Sequence, residues 1–254
     1  MPSLRQYSTV EKALALLDDQ RWLHERLPSV RKIVIVLLGI ALAVAGCGSS
    51  GSKTGKESLS DRLAAAKKSF DKADYIGFTL STATLPSGVS EGLYSARGTG
   101  THDPAFKGKV KAKASVTLDV DVIAVKGLVY AKLPFVGWTT IDVAKYGAPD
   151  PAALMDNDTG LSSLLTDAKD LKKDGQERDG NTVLTKITGT IPGDQVNGLF
   201  PTAATNDFHA TFKLDDKNTL VSAEFAGPFY KGESDVTYNL TVDLNASKVS
   251  ITAP

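Results

Sequence analysis

Few side chains in this sequence are placed to do chemistry, and the one whose position demands an explanation is Cys47. It is the only cysteine in 254 residues and follows directly on a mostly apolar run, Ile33 to Val44, and the small residues Val44-Ala45-Gly46. A lone thiol cannot close an internal disulfide and is too few for a cysteine-based metal cage. Its position needs another explanation. The histidines offer less. His24 precedes the cysteine, the string GTGTHDP around His102 reads as a turn, and His209 alternates with Phe208 and Ala210 as on the wet face of a strand. No G-x-S-x-G, H-E-x-x-H or G-x-x-x-x-G-K-[ST] pattern is present. Asp156-Asn157-Asp158-Thr159-Gly160 has the start of a calcium loop without the Glu that should close its window, and reads as a turn. Neither an enzyme nor a metal or dissociable cofactor is expected.

The surroundings of Cys47 supply its chemistry. Arg31-Lys32, the apolar run and the small residues before the cysteine together resemble the lipobox of bacterial lipoproteins. The resemblance implies a diacylglycerol thioether on Cys47, acylation including palmitate, and anchorage to the outer face of the cell membrane. The plainer alternative is a transmembrane or signal segment with an incidental cysteine, although the run is short of the ~20 residues of a span. Residues 47–57, with Gly48-Ser49-Ser50-Gly51-Ser52, form a flexible tether. Residues 1–29 include acidic residues and an amphipathic-looking stretch, unlike an export signal, whereas Val30 can be a start residue when its codon is GTG. The expectation is an extension over 1–29, a signal peptide over 30–46 and a folded domain over 58–254.

Removal of residues 1–46 takes six Lys/Arg and four Asp/Glu from totals of 29 each, leaving 23 against 25 and a net charge of −2. Such a balance carries no nucleic-acid footprint. The 208 residues left suffice for one domain with a real core. A helix is predicted from Ser58-Leu59-Ser60-Asp61, a capping box with Asp in place of Glu, followed by Leu59, Leu63, Ala66 and Phe70 at helical spacing. The period then becomes two at Ile76, Phe78 and Leu80. It returns at Phe208 to Leu214, at Val221, Ala223 and Phe225, and at Val236 to Leu244, with short turns that imply antiparallel neighbours. Between these lie short helices expected at Pro151–Met155, Leu161–Thr166 and Gly193–Phe200, and a hairpin-like pair around Asp174–Asn181.

The richest stretch is FKGKVKAKASVTLDVDVIAVKGLVYAKLP, residues 106–134. Val110, Ala112, Ala114, Val116, Leu118, Val120, Val122 and Ala124 are apolar at even positions, with lysines and aspartates at odd ones. A bend near Ser115 and a two-residue turn at Lys126-Gly127 would set Ala124 against Val129, Val122 against Ala131, Val120 against Leu133 and Asp121 against Lys132. Small residues on an inward face leave volume unfilled. Either the sheet lines a cavity or a helix packs close on the alanines. The expected lining is Ile76, Phe78, Leu80, Val110, Ala112, Ala114, Val120, Val122, Ala124, Val129, Ala131 and Leu133. Lys107 to Lys113 could meet anionic headgroups or simply form a solvated face.

The lipobox, GLVYAKLP, DPAALMDNDTGLSSLL and the tail DVTYNLTVDLNASKVSITAP, in that order along the chain, resemble the mycobacterial and actinobacterial LppX/LprAFG lipoproteins, nearest their LprG type. Asn157 departs from the Pro of many members, and the stretch before Arg31 is foreign to the family. The resemblance implies an α+β fold: a curved antiparallel half-barrel with short helices over its concave face, enclosing an apolar cavity for multi-acylated lipids or glycolipids such as triacylglycerol, phosphatidylinositol mannosides and lipoglycans. It implies a membrane efflux transporter of the major facilitator superfamily as partner, and Val110 as a lining position at the cavity mouth. The competing classes are a ligand-free envelope scaffold or adhesin and a lipid-modifying enzyme.

Overall fold

The computed structural model describes residues 57–146 and 148–254, so Cys47, the signal, the tether and the extension expected before it lie outside the described residues. The chain opens on helix α1 (Leu59–Asp71), started as its sequence predicts. The Ser58 hydroxyl accepts from Asp61 N–H at 3.1 Å, and the Asp61 carboxylate accepts from Ser58 N–H at 3.3 Å. Leu63, Ala66 and Phe70 bury one face of α1, which packs on the concave side of a single sheet.

Eleven antiparallel strands make that sheet. The first six are β1 (Ile76–Ser81), β2 (Gly92–Thr101), β3 (Ala105–Lys113), β4 (Thr117–Val125), β5 (Leu128–Leu133) and β6 (Gly137–Ile141). Residues 142–168 then cross to the far edge, carrying 3₁₀ turns at Val143–Tyr146 and Ala153–Met155 and the short helix α2 (Ser163–Asp167). The second run is β7 (Lys169–Asp179), β8 (Thr182–Ile191), helix α3 (Gly193–Leu199), β9 (Phe208–Leu214), β10 (Leu220–Gly227) and β11 (Val236–Asp243). The order β6-β5-β4-β3-β2-β1-β11-β10-β9-β8-β7 means two meanders joined where β1 pairs with β11, with β6 and β7 as open edges. The result is the curved, unclosed sheet with few short helices that the sequence analysis expected.

The bend is localised by glycine. Gly98 and Gly108 face one another between β2 and β3. A Cβ on Gly98 would stand 2.3 Å from Lys107 O and one on Gly108 2.1 Å from Arg97 O, so only glycine permits this approach, and the Phe106 ring covers both. Of the string GTGTHDP, read from sequence as a turn, residues 102–104 do turn into β3, but Gly98 to Thr101 continue β2, since the same glycines that depress β propensity admit Phe106 and, at Gly100, Met155. β7 also runs longer than the expected hairpin, because an edge strand this charged shows no apolar period.

Two registers were foreseen and one pairing was not. Lys126 and Gly127 both take positive φ, 55° and 73°, closing β4–β5 with Ala124 opposite Val129 and Val122 opposite Ala131. Asp121 reaches Lys109 on β3 instead of Lys132, at 2.5 Å, since Lys109 lies directly opposite in the β3–β4 register. This pair holds the carboxyl below its ordinary range, with Lys132 adding weaker attraction. Val221 is half-buried instead of inward, because a bulge between Leu220 and Ser222 hands the inward position to Leu220. Val116 is likewise exposed, in the turn after β3.

The two halves of the concave face are filled differently. Phe200, Phe208, Phe229 and Tyr238 pack edge-to-face or tilted, with centroids 4.7 to 6.1 Å apart, beneath the second meander. A buried hydroxyl cycle ties this cluster to β2. Leu93 N–H donates to Tyr230 Oη at 3.0 Å, Tyr230 donates to Tyr238 Oη at 2.8 Å, and Tyr238 donates to Leu93 C=O. It satisfies Leu93 where the β2–β3 register shifts. Burial, then the neighbouring Tyr230, pushes the Tyr238 hydroxyl far above its ordinary value. Tyr238→Phe strands Leu93 C=O and the Tyr230 proton, and should cost about 1–3 kcal/mol in urea unfolding. Because the folded state holds this proton while the unfolded chain releases it near pH ~10, its stability contribution is complete below that pH and falls above it. Melts from pH 8 to 11 should show a shallower alkaline loss in the variant than in wild type.

Candidate functional site

Beneath the first meander the inward side chains are small, and a gap results. Alternation on β3, β4 and β5 turns Val110, Ala112, Val120, Val122, Val129, Ala131 and Leu133 to the concave face, joined by Leu93 and Ala96 of β2 and Ile141 of β6. Val143, Tyr146, Ala148, Pro149, Pro151 and Leu154 roof it. The enclosed space is about 160 Å³ and its wall is almost wholly apolar. Val122, Val129 and Ala131 are buried, whereas Val120, Leu118, Ala112 and Ala114 are half-exposed, so the cavity opens toward the β3–β4 turn. Lys113 stands at the rim and donates to Val89 C=O at 2.6 Å.

The roof is fixed at one end. Lys67 of α1 donates to Asn157 C=O at 2.5 Å and pairs with Asp71 at 2.6 Å, and Asp71 accepts from Ser162 Oγ at 2.6 Å. His102, in the β2–β3 turn, lies 2.7 Å from Met155 C=O through Nδ1 and 3.0 Å from Phe70 C=O through Nε2. Asp156 Oδ1 accepts from Asp158 N–H, Thr159 N–H and Thr159 Oγ, the expected turn, and these bonds hold its carboxyl below the usual range. By contrast Lys145 and Ala148 donate only to Asp142 and Val143, within the roof itself. The cover is thus hydrogen-bonded to α1 and the β2–β3 turn at 155–162, and meets the sheet through the apolar side chains of Val143, Tyr146, Ala148, Pro149 and Pro151.

Of the residues expected on the lining, Val110, Ala112, Ala114, Val120, Val122, Val129, Ala131 and Leu133 are brought together there. Ile76, Phe78, Leu80 and Ala124 do not line it. β1 lies mid-sheet in the packed core, with Phe78 against Phe106 at 5.3 Å, and Ala124 sits opposite Phe106 in the β3–β4 register. The cavity reading therefore holds for Ala112, Ala114 and Ala131, whereas Ala124 is packed in the core opposite a strand residue and not beneath the helix that the alternative expected. Sequence reasoning placed short helices over the concave face, Pro151–Met155 among them, but missed Val143, Tyr146, Ala148 and Pro149 of the roof and the β2 contribution. Pro149 and Pro151 were the visible signal of a non-helical cover, but Leu93 and Ala96 are separated by a bulge that hides their period. Lys107, Lys109 and Lys111 face outward, toward Ser250 C=O, Asp121 and the Tyr94 ring respectively. His209 is exposed on the wet face of β9, as expected. Among the described residues, no helix is long and apolar enough to cross a membrane.

The family model for the LppX_LprAFG lipoprotein matches residues 60–252. The chain is 28% identical over 232 residues to a lipoarabinomannan carrier protein LprG of Mycobacterium tuberculosis, covering 87% of this chain and 94% of that one. It is 28% identical over 184 residues to its namesake in Mycolicibacterium smegmatis, covering 68% and 75%. Its fold is similar to the crystal structure of LprF from Mycobacterium bovis, with TM-score 0.63, 14% identity and coverage of 77% and 96%. That of lipoprotein LppX from M. tuberculosis gives TM-score 0.57, 21% identity and coverage of 76% and 98%. A curved sheet of this order with a roofed apolar hollow, matched along nearly the whole folded body, places the chain in the LppX_LprAFG lipoprotein family.

Proposed function

We propose that this protein is an envelope lipid carrier that takes the acyl chains of lipids or glycolipids into the cavity under β2–β6 while the headgroup stays at the rim. The observation that carries the reading is the apolar hollow beneath a roof that is hydrogen-bonded at one end alone. The relatives named lipoarabinomannan carriers support it. Transfer energetics supply the mechanism. Exposing a sixteen-carbon chain to water costs about 12 kcal/mol at ~0.8 kcal/mol per CH₂, so unaided escape from a bilayer is very slow. An apolar wall lowers that barrier without any bond being made or broken.

At about 160 Å³ the hollow is smaller than the ~300–1,000 Å³ usual for ligand pockets, so a multi-acylated lipid enters only as the roof over 143–151 lifts. Triacylglycerol, phosphatidylinositol mannosides or lipoglycans are the ligands we assign to it. Diacylglycerol on Cys47 would hold the body at the outer face of the membrane, where a major facilitator efflux transporter could hand lipid on toward the outer envelope.

Organic extraction and native mass spectrometry of the purified protein test the reading. Co-purified acyl lipid is expected, and a protein that stays empty after incubation with triacylated lipid would overturn it. Val110→Trp places an indole in the hollow and should melt within a few degrees of wild type while losing that lipid. Ala124→Trp meets packed core and should destabilise by about 1–3 kcal/mol or more. Cys47→Ser, whose hydroxyl cannot form the thioether, should abolish palmitate labelling of the full chain in cells and leave the melting of the body unchanged.

A further inference from the structure

Large apolar side chains are exposed at one end of the sheet. The β3–β4 and β5–β6 turns lie at the same end, because β3 runs into the first and β5, parallel in direction to β3, runs into the second. Phe135 is fully exposed at 109%, Val136 is exposed at 70% and Val116 at 63%. Phe135 takes a φ of 63°, which bulky residues rarely adopt, in a turn that leaves its ring in solvent. Burying none of these costs solubility, so their placement at a turn tip calls for an apolar environment outside the protein.

The surroundings identify that environment. Trp138 lies opposite Lys132 on the outer face of β5–β6, and behind the other turn Lys109 and Lys111 stand on β3 with Lys113 at the cavity rim, four lysines against the two acidic residues of the facing β4 positions, Asp119 and Asp121. Apolar tips backed by an indole and an excess of lysines match the layers of an anionic bilayer: acyl chains, interface and headgroups. The two turns also flank the open side of the cavity, since Ala114, Leu118 and Leu133 of the same hairpins line it.

We propose that Val116, Phe135 and Val136 form a docking tip that enters the outer leaflet of an anionic lipid bilayer, with Trp138 and Lys132 at its interface, setting the cavity mouth against the acyl layer. The proposal rests on the carrier reading for what docking serves, while the contact itself is independent of whether the cavity is loaded. A lipid chain then moves from leaflet to hollow without crossing water.

Trp138 reports the contact directly. In the full chain carrying Trp22→Phe it is the only tryptophan. With that chain in vesicles of phosphatidylcholine and phosphatidylglycerol, Trp138 emission should shift to shorter wavelength and be quenched by acyl-brominated phosphatidylcholine. Phe135→Asp with Val136→Asp should cut the quenching by at least ~5-fold, and Phe135→Ser alone should act in the same direction. Leu128→Asp, an exposed apolar position at the opposite end of the sheet, should leave it unchanged. Absent quenching, quenching that survives the double substitution, or the same shift on self-association without vesicles would overturn the tip; the last would make it a protein contact. Lipid extracted from the protein separates the two readings. An empty cavity with quenching intact removes the carrier and keeps the tip, whereas a loaded cavity without quenching does the reverse.

Discussion

The pairing of β1 with β11 is the constraint on which the architecture depends. Gly77 and Asp243 are register partners 166 residues apart, and every other strand pair in the sheet joins strands consecutive in sequence. Each meander can assemble from local hairpins, but neither has a second layer of its own. The seam converts two half-sheets into one curved surface whose concave side α1 and the crossing segment can cover. Its closure loop is long, and the loop-entropy cost grows only slowly with length, so burial of Ile76, Phe78, Leu80, Tyr238, Leu240 and Val242 along β1 and β11 readily offsets it.

Once the seam exists, side-chain volume decides what each half becomes. Phenylalanines and tyrosines beneath β9–β11 meet in the middle and close a dense core, reinforced by the hydroxyl cycle through Leu93. Valines and alanines beneath β2–β5 cannot span the same distance, and the crossing segment bridges the gap with prolines and short 3₁₀ turns instead of a helix that would fill it. A solid half thus backs a hollow one. Polar anchoring of the roof at 155–162 and its apolar seat at 143–151 belong to the same division: the end that must stay is hydrogen-bonded, and the end above the hollow is held by contacts that an acyl chain can replace.

Much of this was legible in the sequence where the signal is local. The capping box at Ser58, the turn at Lys126-Gly127 and the alternation from Leu118 to Ala124 each encode geometry within a few residues, so α1, the β4–β5 register and the inward parity of Val120 and Val122 could be read directly, while the bend near Ser115 left the parity of Val110 and Ala112 to the β3–β4 pairing. What only the tertiary structure decided concerns distances between segments remote in the chain. That Ala124 is packed while Ala131 lines the hollow depends on Phe106 across a strand pair, and that Gly98 continues β2 instead of turning depends on its backbone approaching that of Gly108 too closely for any Cβ. Alternation fixes which face a residue is on. The volume opposite that face is set by other segments, and no local pattern contains it.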